Sequence, residues 1–278
     1  MYSEVYSVTL AGLDACIVKV ETDAGDGLPS FEMSGCLAAQ VTEARERVRV
    51  AVKNSGIILR PQKIMVNISP ADIRKAGNGF DLPVAAGILA ADGIIKTDML
   101  ESSVIIGELS LDGSVNAVRG IINCVAKAAQ MGFKRCIVPS CNVCEGEHIE
   151  GIEVLGVDSL KQLIGYFNGE SELIDAIDAK KSREHDVIHM KNETCPDFAD
   201  ITGQVTAKRA SLIAAAGHHN ICYMGIPGTG KTMMAKRIST IMLPLNESEK
   251  MELTRIYSAA GKLEGRSIIE ESECTIDS

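Results

Sequence analysis

Alternation of apolar and polar residues opens the chain. SEVYSVT (3–9) and ACIVKVET (15–22) each switch character every second residue, which is the period of a half-buried strand, and LAGLD (10–14) between them suits a turn. A hairpin is predicted. A third extended piece, PSFEMSG (29–35), follows Gly27. The period then lengthens. Val41, Ala44, Val48 and Val52 recur at spacings of three and four, while Glu43, Glu46, Arg47 and Arg49 point elsewhere, so a helix is predicted from about 39 to 55, capped by Gly56.

KIMVNIS (63–69) reads as a buried strand, and DLPVAAGILAADG (81–93) as a short apolar helix with Asp81 as N-cap and Pro83 in its first turn. SVIIGELSLDGSVNAV (103–118) predicts two strands joined around Asp112-Gly113. RGIINCVAKAAQMGF (119–133) predicts a helix closed by Gly132, RCIVPS and IEVLGV predict short strands, and SLKQLIGYF predicts a further helix. Periodicity fades over 169–196, where charges crowd together, and that stretch reads as a linker. Order returns at DFADITGQ (197–204) with the succession helix, strand, loop, helix. The expected organisation is an α/β unit over 1–168, a linker over 169–197 and a second unit over 198–278.

Composition refines this picture only in part. The 278 residues are 46% apolar and 23% charged, enough for two packed cores. No run of 18 uncharged apolar residues offers a membrane span, and the first residues lack a basic stretch followed by an apolar one, so no signal peptide is expected. Nine scattered cysteines without an export signal fit reduced thiols in a cytoplasmic protein. The net charge of −9 disfavours wrapping of nucleic acid by the whole surface. A local contact through Arg45, Arg47, Arg49, Arg60, Arg74 and Lys75 stays open beside the simpler reading of a solvated face.

One motif carries chemistry. Gly225-Ile226-Pro227-Gly228-Thr229-Gly230-Lys231-Thr232 fits G-x-x-x-x-G-K-[ST], with the apolar run NICYMG before it and the helical pattern KTMMAKRISTIM after it. Glycines let backbone N–H groups turn inward around phosphate oxygens, and a helix N-terminus adds positive potential. Lys231 is placed to bridge the β- and γ-phosphates of ATP, and the Thr232 hydroxyl to help hold Mg²⁺. A hydrolysing site also needs an acid at the end of an apolar strand. The candidates after Thr232 are Glu270 and Glu271 in SIIEE, where two apolar residues make a poor strand and a solvated loop is the simpler reading.

DFADITGQ, the alanine-rich stretch after it, GHHNICYMGIPGTGKTMMAKRI and LTRIYSAAG together resemble the start of the AAA+ module of magnesium-chelatase-like ATPases of the YifB/ComM type. LAGLDACIVKVETDAGDGLPSFEMSG, EARERVRVAVKNSG, KIMVNISPADIRKAGNGFDLPVAAGIL and GELSLDGSVNAVRGI are similar to that family's N-terminal domain. The resemblance implies a ribosomal-protein-S5 domain 2-like fold, shared with Lon protease, followed by the beginning of a P-loop AAA+ domain. It implies ATP and Mg²⁺ as cofactors, ring formation by the full-length protein, and for the ComM branch a role in DNA branch migration. It places Ile201, Gly203 and Gln204 at the adenine pocket and the family's Walker B acid, sensors and arginine finger beyond Ser278, as in a partial member. His218 stands where the family usually has Gly and Ile226 where Pro is usual; neither removes a phosphate contact. A binding or assembly fragment without ATP turnover is the alternative, and a porphyrin chelatase subunit is disfavoured by the N-terminal domain.

The residues speak against two further chemistries. A Lon-like protease needs a Ser–Lys pair, and the corresponding positions hold Val84 or Ala85 and Gly120 to Asn123, with no lysine until Lys127. Cys136, Cys141, Cys144 and His148 form a weak zinc signature, because structural sites usually use two separated pairs; reduced thiols in a loop are the simpler reading.

Overall fold

The computed structural model describes residues 1–75, 77–174, 197–263 and 266–269, and the chain divides into two compact units. Residues 175–196 of the stretch expected as a linker over 169–197, and the pair Glu270 and Glu271, lie outside the described residues.

Unit 1 is a mixed α/β structure around a seven-stranded sheet. The predicted hairpin forms from β1 (Tyr2–Ala11) and β2 (Asp14–Gly25), antiparallel with Ala11 opposite Asp14. Only two residues connect them, and Gly12 supplies the positive φ of 69° that such a tight connection requires. β3 (Ser30–Ser34) follows, then α1 (Ala39–Asn54), then β4 (Lys63–Ser69). Val41, Ala44, Val48 and Val52 all face the core, as their spacing predicts, and Gly56 sits just past the helix end at φ 85°. β4 forms over the predicted residues and is buried on one face: Ile64, Val66 and Ile68 point inward while Met65 is exposed.

The remaining elements are α2 (Asp81–Ala91), β5 (Ser103–Ile105), β6 (Glu108–Leu109), β7 (Val115–Asn116), α3 (Ile121–Gln130), β8 (Arg135–Pro139), α4 (Val143–Gly146), β9 (Glu153–Val157) and α5 (Leu160–Asn168). The sheet order is β3-β4-β2-β1-β5-β8-β9, and β5, β8 and β9 run parallel to β1 and one another. The segment expected as one strand before Asp112 is two. β5 belongs to the large sheet, whereas β6 pairs with β7 in a separate ribbon. The break falls at Gly107, whose N–H donates to Gly79 and whose missing side chain makes room for Leu82 and Val115.

Alternation along the parallel strands splits the core in two. Ile105, Ile137 and Leu155 join α1, α2 and α5 on one face of the sheet. Val104, Cys136, Val138 and Val154 join α3 and α4 on the other. Every residue of α2 is buried, which is why its composition is apolar all round rather than striped. The helix comes closest to the sheet at Gly87, where a Cβ would lie 2.6 Å from the Thr22 hydroxyl, and the Gly87 carbonyl accepts from Ser3 Oγ.

Asp81 corrects the predicted cap. Phe80 occupies the N-cap position without a side-chain bond, and Asp81 is the first helical residue. Its fully buried carboxylate accepts from Arg47 Nε at 2.8 Å, from the second arm of the same guanidinium at 3.0 Å and from the Leu109 N–H at 3.2 Å. Burial pushes this carboxyl up from the ordinary aspartate range, and its three donors pull it back.

Among the described residues, unit 2 contains a 3-10 turn (Phe198–Asp200), α6 (Val205–Ala216), α7 (Lys231–Arg237), a second 3-10 turn (Ile238–Ile241) and the first half of α8 (Glu247–Ala260). Residues 254–267 group with unit 1. There Arg255 Nε donates to Asn123 Oδ1 at 2.6 Å and Ser258 Oγ to Glu145 Oε2 at 2.7 Å.

The pair between α1 and α2 yields a stability test. Asp81→Ala is expected to cost about 3 kcal/mol in urea unfolding followed by circular dichroism, because it strands Arg47 in a partly buried position. Arg47→Met combined with Asp81→Leu should cost less than either single change, since no buried charge is left alone.

Candidate functional site

The glycine-rich loop lies in unit 2 and rests on a small core. Phe198, Ile201 and Met234 are buried together, with Ala207, Tyr223 and Ile241 packed against them. Met234, on the first turn of α7, thereby fixes the helix that begins at Lys231. Tyr223 Oη and Ser211 Oγ, 2.6 Å apart, tie the run before the loop to α6.

That run, NICYMG, is not a strand. It is unpaired, because no strand among the described residues of unit 2 offers it a ladder. The following helix is also shorter than the sequence pattern implies. α7 spans seven residues and tightens into the 3-10 turn from Ile238, where Thr240 Oγ1 turns back to the Arg237 carbonyl at 2.9 Å and accepts from the Phe198 N–H at 3.1 Å.

The loop itself curls around the end of one side chain. Gly228 and Gly230 take φ of 81° and 83°, conformations that β-carbon-bearing residues rarely adopt. A Cβ at Gly228 would meet nothing within 4 Å, so no side chain crowds this turn of the loop. Thr229 Oγ1 donates to the Ile226 carbonyl at 3.0 Å. Lys231 Nζ donates to the Gly225 carbonyl at 2.9 Å and the Ile226 carbonyl at 2.8 Å, so the ammonium lies across the mouth of the loop. Among the described residues the backbone N–H groups of Gly228, Gly230 and Lys231 meet no acceptor, while a turn over Pro227 and Gly228 brings the Thr229 N–H back towards the Ile226 carbonyl. Pro227 contributes no N–H, and Thr232 stands exposed one residue after the lysine.

Ile201, Gly203 and Gln204 come to the same neighbourhood by different routes. Ile201 shares the core with Met234, and Gln204 Nε2 donates to the Thr229 carbonyl at 3.3 Å. Gly203 is exposed at φ 73°, and Gln204 itself has a positive φ of 48° as it opens α6. The donor set suits a polyphosphate: a cation, free N–H groups and a glycine cradle converge, with no carboxylate among residues 225–232.

The other candidates disperse. Cys136 and Cys144 are buried on separate elements while Cys141 is exposed, and among the described residues no group of three metal-ligating side chains converges. Burial pushes the Cys136 thiol far up, which keeps it protonated and inert. Val84 and Ala85 are sealed inside α2, and Lys127 Nζ turns to Gln130 Oε1 at 3.0 Å. Of the basic residues, Arg47 is engaged by Asp81, Arg60 by Asp92 at 2.9 Å, and Arg45 by Glu46 at 3.3 Å. Lys75 is fully buried, its ammonium donating to the Pro70 carbonyl, and desolvation lowers its pKa. Four of the six candidate cations are therefore engaged within the protein. Sequence reading missed the polar contacts of Asn123 and Glu145 with residues 254–267, because isolated polar residues on helices carry no periodic signal.

Comparison with known proteins places this architecture among the magnesium-chelatase-like proteins. Residues 20–142 match the family model described as subunit ChlI of Mg-chelatase, and residues 197–275 match the model described as magnesium chelatase, subunit ChlI. A Mycobacterium tuberculosis protein is 37% identical over 260 residues, 94% of this chain and 50% of its own length. The competence protein ComM of Haemophilus influenzae is 34% identical over 254 residues, covering 91% of this chain and 49% of that protein. The YifB protein of Escherichia coli is 34% identical over 256 residues, covering 92% and 49%. The chain belongs to the YifB/ComM family of magnesium-chelatase-like proteins. It spans about half the length of the curated relatives it matches. Among the described residues, no helix is long and apolar enough to cross a membrane.

The loop and its support are separable. Lys231→Ala should change unit 2 stability by less than about 0.5 kcal/mol, since the ammonium is exposed and touches only loop carbonyls. Met234→Ala should cost about 2 kcal/mol or more by opening the small core. Hydrogen exchange of the α6 amides reports both.

Proposed function

We propose that residues 225–232 bind the phosphates of Mg²⁺·ATP, and that the full-length protein is a ring-forming AAA+ ATPase acting in the cytoplasm on branched DNA. The observation that carries the reading is the Lys231 ammonium held over the glycine loop by two carbonyls, beside the N–H groups of Gly228, Gly230 and Lys231, which meet no acceptor among the described residues. Phosphate oxygens are stronger acceptors for this ammonium than neutral carbonyls, so a nucleotide has both a cation and an amide nest to engage.

On this reading each residue has a definite task. The N–H groups of Gly228, Thr229, Gly230 and Lys231 bind phosphate oxygens, and the Lys231 side chain swings from the loop carbonyls to the β- and γ-phosphates. The Thr232 hydroxyl helps hold Mg²⁺. Gly225, Ile226 and Pro227 shape the entry to the loop. Ile201, Gly203 and Gln204 border the adenine, Gln204 being already bonded to Thr229. Bound Mg²⁺·ATP supplies a phosphoanhydride whose cleavage drives the motor, and the acid that assists it comes from chain beyond this loop. The mixed sheet of unit 1 supports an S5 domain 2-like assignment for residues 1–168, with a linker over 169–197 and the nucleotide module from 198. The DNA role rests on the family resemblance to the ComM branch.

The test is nucleotide binding followed by turnover. A fluorescent ATP analogue should bind this chain in the presence of Mg²⁺, and Lys231→Ala should weaken binding about tenfold or more. Equal binding by both proteins overturns the phosphate assignment. Hydrolysis is expected only from a chain extended to the length of the relatives, where branched duplexes should bind with a steep salt dependence. Turnover by the 278-residue chain that disappears in Lys231→Ala would show that the later residues are dispensable.

A further inference from the structure

The seven-stranded sheet ends differently on its two sides. At one end, β9 is met by Ile174, whose backbone exchanges hydrogen bonds with Gly156 at 2.6 and 3.1 Å. At the other, β3 pairs with β4 through its inner side only, and among the described residues no backbone group meets its outer side. An open strand edge is a template for another backbone.

Beside this edge lies an apolar groove of about 570 Å³ between the start of β3, the Val48–Lys53 stretch of α1 and residues 57–62. Phe31, Val52 and Ile64 form part of its floor. Two large apolar side chains nearby are left in solvent: Ile58, which lines the groove, is 91% exposed, and Leu28, which precedes β3, is 89% exposed. The lining includes Arg49, Lys53 and Arg60 and no acidic residue, on a chain whose net charge is −9. Arg60 is engaged by Asp92, whereas Arg49 and Lys53 make no ion pair among the described residues. Glu32 does not enter the groove, because alternation turns it to the opposite face of the sheet from Phe31.

We propose that this edge and groove form a docking site for an extended acidic peptide segment of a partner protein. The segment adds as a strand beside β3, and its groove-facing side chains, every second residue, are both apolar, against the floor, and acidic, against Arg49 and Lys53. The free edge favours a peptide over an amphipathic small molecule, since it offers a row of backbone donors and acceptors. It favours a peptide over single-stranded nucleic acid for the same reason, because a sugar-phosphate chain has no amide ladder to pair with it. The cationic lining selects acidic partners and rejects basic ones.

Fluorescence anisotropy with a labelled nonapeptide that carries Leu and Glu in turn at every second position, with Ser between them, tests the site, with the peptide carrying Lys in place of Glu as counterpart. The acidic peptide should bind saturably and the basic one should not. Arg49→Glu combined with Lys53→Glu should weaken the acidic peptide about tenfold or more and confer binding on the basic peptide. Both substitutions lie on the exposed side of α1, and circular dichroism verifies that the variant folds. On the unsubstituted protein, the acidic peptide should slow hydrogen exchange of the amides of residues 30–34. Equal binding of the two peptides, absence of protection at β3, or binding of an oligothymidine through Arg49 and Lys53 without binding of the acidic peptide each overturn the proposal.

Discussion

Arg47 and Asp81 face each other across the first two helices of unit 1, and much of that unit is organised around their contact. The carboxylate has no solvent access, so its charge is tolerated only while donors surround it. The planar guanidinium supplies two in fork geometry and the Leu109 amide a third. Three elements are registered at once: α1 through Arg47, the start of α2 through Asp81, and β6 through Leu109. The negative charge also sits in the first turn of α2, where the helix dipole favours it. Because α2 is buried on every side, an error in its placement would propagate to the sheet beneath and to both flanking helices.

The sheet built on this arrangement is asymmetric. Its centre is the long β1–β2 hairpin, with β4 antiparallel beside β2 and the parallel strands β5, β8 and β9 beyond β1, whose alternate residues feed two separate cores. One edge is occupied by the chain itself at Ile174, and the other ends at five-residue β3 beside an apolar groove with cationic lining. Natural sheets usually blunt an open edge with charge, a bulge or a cover. Here, among the described residues, the edge keeps its backbone groups free and the nearby charges lie in the groove.

Unit 2 achieves local order with very little core. Three buried residues hold α7 and the 201–204 segment, and the glycine loop is closed by hydrogen bonds to its own carbonyls. Such a loop is easily reshaped, since the bonds that close it are surface-exposed and individually worth about 1 kcal/mol. This suits a lysine that must exchange carbonyl partners for a stronger anionic acceptor.

The sequence by itself determined the local elements of unit 1 and the chemistry of the glycine loop. Period-two alternation marked β1 and β2, the spacing of Val41, Ala44, Val48 and Val52 marked α1, and residues 225–232 fit a phosphate motif in every required position, because strands, amphipathic helices and tight glycine turns are dictated by nearby residues. Tertiary structure decided what nearby residues cannot encode. Asp81 looked like a cap, but an arginine 34 residues earlier in the chain claimed its carboxylate. NICYMG has the composition of a strand, yet a strand exists only where a neighbour pairs with it. The sequence left open whether the arginines and Lys75 reach nucleic acid or form a solvated face, and the structure draws Arg47, Arg60 and Lys75 into contacts with Asp81, Asp92 and Pro70. In each case a long-range partner competed with a local preference and won, since a buried charge or an unpaired backbone costs more free energy than a local propensity contributes.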